Sequence, residues 1–340
     1  MSLSNKLSRR QVLAASAASL AAPVVFAQQQ FTMKMGTPGV EDVGVAWMRS
    51  LKAGVESRSK GRIKVELYLA NQLGPLPRVI EGVSIGTIEA ALPAVGFVTG
   101  LEPRFMVLDA PGLFDDMVHA QRVLTDPEIR KRLSNYGAGK GIEPLSVFAY
   151  SPLALLSHKP VRTLADLKGL KVRVPGAAAL HVEPLKHFGG IPMSMPPSDM
   201  LPALQNKTLD GVISSPFIFI PNKYYDVAKY MTYLPGSYLM AAAVVNRNWM
   251  KSLGPELEAV VREEAHKADA LISTQGVADA EKALTTWKNN SGENIFFSKA
   301  DAATYFKDVA AVASKVSNSD PVLKEEFAVL AAAAAKYRKA

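Results

Sequence analysis

Between Phe31 and Val95 the chain switches repeatedly between strand-like and helix-like patterns, and this alternation restricts the fold more than any other feature. FTMKMG (31–36) reads as a strand. Val43 to Arg58 places Val45, Met48, Leu51 and Val55 at the spacing of one helix face. RIKVELYL (62–69) alternates apolar and polar residues, as a half-buried strand does. A loop, ANQLGP, leads to a helix from about Leu76-Pro77 to Gly86, and IEAALPAV (88–95) reads as a buried strand. Strands separated by helices pair in parallel through crossovers, so the expectation is an α/β sheet.

The pattern restarts after IEPLSVFAY (142–150), a strand that carries the chain toward a second unit. Strand Leu170–Val174, helix Ala177–Phe188, strand IPMSM, helix Ser198–Asn206 and strand LDGVIS follow in order. SYLMAAAVVN (237–246) is an apolar strand long enough to return the chain to the first unit. A helical pattern then runs from Pro255 to about Asn290, with Gly276 inside it, and two more helices follow. This order predicts a hinged, two-lobe α/β protein with a ligand cleft between the lobes and a long helix lying across both.

The N-terminus is expected to be removed. Lys6, Arg9 and Arg10 precede an uncharged, Ala-rich apolar run from Val12 to Ala27, the pattern of a secretory signal. Arg9-Arg10 in the setting Ser8…Gln11-Val12-Leu13 is twin-arginine-like, with Val12 where that signal usually has Phe. Losing residues 1–27 removes three cations and no anions, so the net charge of +8 falls to +5. No basic stripe with interleaved aromatics carries that excess, which argues against nucleic-acid binding. The chain has no cysteine, which excludes disulfides, thiolate metal sites and a cysteine nucleophile.

Catalytic motifs are weak. Gly82-Val83-Ser84-Ile85-Gly86 matches G-x-S-x-G, but a nucleophile elbow needs a strand before the serine and a helix after it. Here a helix precedes and a strand follows. His119, His158, His181, His187 and His266 show no metal-ligand spacing, and Gly137-Ala138-Gly139-Lys140-Gly141 lacks the Ser or Thr of a phosphate loop. Neither an enzyme, a cofactor nor a metal is expected. What remains is Arg173, the last charge in the strand LKVRV before Pro175-Gly176. A guanidinium at the end of a strand facing a cleft suits a carboxylate, since its fork makes two parallel hydrogen bonds. An intramolecular Asp or Glu partner fits that position as well.

The motifs GRIKVELYLANQLG (61–74), GTIEAALPAVG (86–96), DAPGLFDD (109–116), DLKGLKVRVPG (166–176), LPALQNKTLDGVISSP (201–216) and KYYDVAKYMT (223–232) appear in family order. With them the chain resembles the extracytoplasmic solute receptors of tripartite ATP-independent periplasmic (TRAP) transporters, dicarboxylate-receptor type. The resemblance implies a periplasmic protein with the periplasmic binding protein fold, its two lobes closing on an organic acid. It implies delivery of that acid to a small and a large integral membrane subunit. It also implies that Arg173, in the family's K-x-R-V-P motif, pairs with the ligand carboxylate. The lobes divide as 28–150 plus 239–278 and 151–238 plus 279–340.

Two departures bear on the ligand. YSPLALLSHKP (150–160) holds no arginine where many sialic-acid and dicarboxylate receptors carry a second one. Ile213 replaces the glutamate of a common D-G-x-E motif, leaving Ser214 and Ser215 where an asparagine usually stands. With Tyr150, Phe217 and Phe219 nearby, the expected ligand is a monocarboxylate with an apolar or aromatic body, or a 2-oxo or 2-hydroxy acid. Gln72, Phe97 and Met195 are further expected contacts, because each follows or ends a strand near the cleft. The rival readings are an exported α/β serine hydrolase acting through Ser84, and a receptor serving a different importer or a sensor.

Overall fold

The computed structural model describes residues 30–176 and 178–338. The expected export signal, 1–27, lies outside the described residues. The first strands, β1 (Phe31–Gly36), β2 (Ile63–Tyr68) and β3 (Ala90–Ala91), pair in parallel in the order β2-β1-β3. Helix α1 (Val43–Arg58) links β1 to β2, and α2 (Leu76–Ile85) links β2 to β3. The Asp42 carboxylate caps α1 by accepting from the Val45 N–H at 2.9 Å, and Val43, Trp47, Met48, Leu51 and Val55 face the core. Two short helices follow, α3 (Met117–Leu124) and α4 (Pro127–Leu133). Asp126 caps the second of them and Pro127 opens it, so a new helix starts there.

Two strands run the whole way between the halves of the sheet. β4 (Ile142–Ser157) pairs antiparallel with β8 (Tyr230–Asn246) from Ile142↔Asn246 to Ser157↔Tyr230. Both outrun their sequence signals, which cover only 142–150 and 237–246. The excess is the half of each strand that lies in the second unit, where pairing to new neighbours sets its extent. The register shifts between Pro144 and Ser146, between Ala149 and Ser151 and between Pro152 and Ala154. At the last of these β8 skips Leu234 to Ser237, with Gly236 at φ 63°. Such interruptions bend and twist a sheet locally.

Beyond the break the pattern mirrors the first half. β5 (Lys171–Pro175) lies between β6 (Ile191–Met195) and β7 (Gly211–Ser214), parallel to both, and β7 joins β4. Helices α5 (Ala179–His187) and α6 (Pro197–Gln205) make the crossovers, and α7 (Pro216–Phe219) follows β7. β9 (Glu293–Ile295) adds to the other edge of β8 at Tyr230–Thr232.

After a short α8 (Arg247–Ser252), the long helical pattern of the sequence is two helices, α9 (Gly254–Ala268) and α10 (Ala270–Asn289). They meet at Asp269, whose backbone stays helical at φ −59°, ψ −26°. Its buried carboxylate receives the Trp47 Nε1–H at 2.9 Å, the Ser146 hydroxyl and Arg130 Nη2 at 2.7 Å. α9 packs on α1, while α10 reaches β4, α7 and β9 and so touches both halves of the sheet. The last helices are α11 (Lys299–Ser317) and α12 (Pro321–Tyr337). Although the sequence assigns 279–340 to the second lobe, α12 packs on α3 and the 103–109 turn. Its Leu323, Leu330 and Ala334 share a core with Phe105 and Leu108.

Candidate functional site

The strand orders β2-β1-β3 and β6-β5-β7 each contain a point where successive crossovers leave in opposite directions. In open α/β sheets, ligands settle beyond the carboxyl ends of strands at such points. A narrow cavity lies there, with about 40 Å³ of free volume. Thr37 and Pro38 line it from the end of β1, and Leu92, Ala94 and Phe97 from the end of β3. Arg173 and Pro175 come from β5, Ser214 from β7, and Tyr150, Leu239 and Ala241 from the crossing strands.

Arg173 is 1 % exposed. Strand alternation puts Val172 and Val174 on one face and Arg173 on the other, and the structure buries both faces. Nε and Nη2 of Arg173 donate to the Met195 carbonyl at 3.1 Å each, and Nη1 donates to the Ile213 carbonyl at 3.1 Å. Among the described residues no carboxylate pairs with it; the guanidinium carbon instead lies 5.9 Å from the centre of the Phe97 ring. Burial pulls the group down to about 9, with Tyr224 opposing, so it stays cationic at neutral pH. A guanidinium has five N–H donors, and three are used, leaving one on each terminal nitrogen for the cavity. The intramolecular ion pair that the sequence leaves open is therefore not made.

The other expected contacts divide. Tyr150, Phe97 and Ser214 join Arg173 at the cavity, and Met195 contributes its carbonyl as the orienting acceptor. The Ser215 hydroxyl is consumed elsewhere, capping α7 by accepting from the Phe217 N–H at 3.0 Å. Phe217 packs on Tyr150, ring centres 5.8 Å apart, and lines a different cavity with Asp42 and Asp279. Gln72 is exposed and lines neither. Burial pushes the Tyr150 phenol up, and the neighbouring Asp42 carboxylate adds to this. Sequence reasoning missed Thr37, whose hydroxyl donates to the Leu92 carbonyl at 3.3 Å. The only signal for it is its place directly after β1.

A larger cavity of about 410 Å³ carries Arg130, Arg247 and Arg262, but each is already paired. Arg130 meets Asp269, Arg247 lies 3.6 Å from Glu143, and Arg262 holds both Glu143 and Glu258. That cavity lacks the open donor fork of Arg173. Ser84 donates to the Lys140 carbonyl at 2.7 Å from the last turn of α2, in the reversed setting that the sequence implies. Among the described residues no three His, Asp or Glu side chains are grouped to hold a metal.

Residues 41–320 match the sequence model of the bacterial extracellular solute-binding proteins, family 7. The chain belongs to that family. It is a periplasmic solute receptor of the TRAP type and a binding protein, not an enzyme. No described helix is long and apolar enough to cross a membrane. Among family 7 relatives, the 2,3-diketo-L-gulonate-binding periplasmic protein YiaO of Escherichia coli is 29% identical over 71% of this chain and 73% of its own. The C4-dicarboxylate-binding periplasmic protein DctP of Rhodobacter capsulatus is 26% identical over 82% of this chain and 81% of its own. The fold matches the sugar acid binding protein DctPAm from Advenella mimigardefordensis in complex with galactonate. That match has a TM-score of 0.83 at 23% identity and covers 91% of this chain and 99% of the other. The two-lobe α/β fold expected from the sequence is thus the family 7 fold.

Proposed function

We propose that this receptor captures a small monocarboxylate with an apolar body, held through Arg173, and hands it to the small and large membrane subunits of a TRAP transporter. The observation that carries this reading is the buried Arg173 guanidinium, oriented by two carbonyls and left with two donors and, among the described residues, no counter-charge. One such fork suits one carboxylate. The rest of the lining is largely apolar, from Leu76, Leu92, Phe97, Ile218 and Leu239. The free volume is far below the roughly 300–1,000 Å³ of drug-sized sites, which favours a compact acid such as a branched 2-oxo acid. The relatives' names span a sugar acid and C4-dicarboxylates and so do not decide between classes.

The lobes divide where the register of β4 and β8 breaks, near 150–153 and 234–238. Closure removes water from the Arg173–carboxylate pair and strengthens it as the local dielectric falls. The Ser214 hydroxyl lines the same cavity and can donate to one of the remaining oxygen lone pairs.

The test is a thermal-melt screen of residues 28–340 against pyruvate, 2-oxoisovalerate, benzoate, succinate and galactonate. Ligand at about a hundred times its dissociation constant adds roughly 2.7 kcal/mol to stability. A shift with 2-oxoisovalerate or benzoate, absent in Arg173→Ala, supports the reading. Tighter binding of succinate would replace the monocarboxylate with a diacid, and tighter binding of galactonate would replace the apolar body with a polyhydroxylated one.

A further inference from the structure

The segment leaving the Arg173 strand is clasped by the other half of the molecule. Gly176 turns at φ 74° and lies against Gly96. A methyl group at Gly176 would come within 2.6 Å of the Gly96 carbonyl oxygen, and one at Gly96 within 2.9 Å of the Pro175 oxygen. Real side-chain carbons do not approach so closely, so both positions must stay bare. Four residues on, Leu180 packs into the core built by Val95, Phe105 and Leu108.

Next to it, His181 lies between two acceptors. Its Nδ1 meets the Pro175 carbonyl, and its Nε2 is 3.0 Å from Asp109 Oδ2, in an ion-pair contact rather than an aligned hydrogen bond. Both side chains are almost fully buried. Asp109 Oδ1 is occupied, accepting the Met240 N–H at 3.0 Å. The imidazole thus faces a carboxylate of the first half and a carbonyl of its own half in one buried contact. Asp109 belongs to the 103–109 turn of the first half and His181 to α5 of the second. Parting the halves would return both groups to water.

We infer that Gly96, Asp109 and His181 form the seam that holds the cleft closed, and that they act as positioning residues for the ligand through Pro175, which walls the Arg173 cavity. This rests on the receptor reading. Ligand enters the open form, in which the seam is parted, and leaves only after the seam breaks. The seam therefore sets the dissociation rate and leaves the association rate untouched. Asp109 keeps its bond to Met240 in Asp109→Asn, which makes that variant a clean removal of the charge. Gly96 has no positive φ, so Gly96→Ala strains nothing until the halves meet.

The experiment has two arms on the mature chain. In the first, diethyl pyrocarbonate modification of His181 is followed by mass spectrometry, without ligand and with each acid of the screen. In the second, stopped-flow kinetics with the acid that shifts the melt compare wild type, Asp109→Asn, His181→Gln and Gly96→Ala. The expected result is a His181 that reacts in the free protein and is protected by the bound acid. The variants should release the acid about tenfold faster, with unchanged association: Asp109→Asn and His181→Gln each weaken one buried contact between the halves, and the methyl of Gly96→Ala crowds it. A His181 that stays unreactive without ligand would show a permanent core contact and overturn the seam. So would variants that release the acid at the wild-type rate. A reactive His181 that no acid protects would sustain the opening seam while removing the acid-receptor reading beneath it.

Discussion

Arg173 and Met195 are joined twice: both Nε and Nη2 of the guanidinium donate to the one carbonyl oxygen, at 3.1 Å. A backbone carbonyl orients the cation without neutralising it. Replacing Arg173 by Ala should therefore leave the fold intact and strand the ligand carboxylate in an apolar cavity. Breaking a buried pair in this way costs about 3–5 kcal/mol, or roughly two to three and a half decades in affinity. Arg173→Lys should lose much of the same, because an ammonium lacks the planar fork. Isothermal titration with the acid found in the melt screen measures both. Wild-type affinity in Arg173→Ala would remove Arg173 as the anchor.

Gln72 gives the complementary case. It is exposed after β2 and outside the Arg173 cavity. Gln72→Ala should bind the same acid within about twofold of wild type, since surface changes away from a contact usually stay within about 0.5 kcal/mol. A tenfold loss in the same titration would bring the loop after β2 into the site.

Asp269 predicts a pH dependence of stability. Burial raises its carboxyl to about 6, against the lowering effects of Ser146, Trp47 and Arg130. The folded state thus holds this proton more tightly than the unfolded chain does. Its stabilising contribution is full below the unfolded value near pH 4 and is lost as pH rises through about 6, on the order of 2–3 kcal/mol. Urea melts between pH 4 and 8 should show this component in wild type and lack it in Asp269→Asn. An identical profile in the two proteins would contradict the assignment.

Glu326 ties the C-terminal helix to the first half. It is 3 % exposed and accepts from Tyr136 Oη at 2.8 Å and from Arg132 Nε at 2.6 Å and Nη2 at 3.0 Å. Glu326→Ala leaves the buried Tyr136 phenol without its partner and Arg132 with Glu325 alone, at a cost of about 2–3 kcal/mol. A loss of roughly 5 °C or more in melting temperature is expected. A loss below 1 °C would show that α12 is held by its apolar face alone.

Much of this molecule is legible in local pattern. The alternation of α1 and α2 with β1 to β3, and the repeat of that order around β5 to β7, are properties of nearby residues. So is the position of Arg173 just before Pro175, and the reversed setting of Ser84. Periodicity reports which side of an element is apolar, and proline and glycine report where it stops. Those signals are sufficient for the α/β class and for placing an arginine at a strand end.

What needed the tertiary structure is everything set by residues far apart in sequence. Whether Arg173 meets an acid of its own chain depends on which carbonyls and rings close around it, and Met195, Ile213 and Phe97 come from three different connections. The same holds for Ser215 and Phe217, turned to a helix cap and a packing role, and for His181, which finds Asp109 across seventy-two positions of chain. It holds for the full length of β4 and β8, since a strand continues only as far as its neighbours offer backbone partners. Local pattern settles the elements and their order. Long-range pairing and burial decide which polar groups are consumed inside the protein and which are left for a ligand, because a hydrogen-bonding group is spent or free according to what the fold brings within about 3 Å of it.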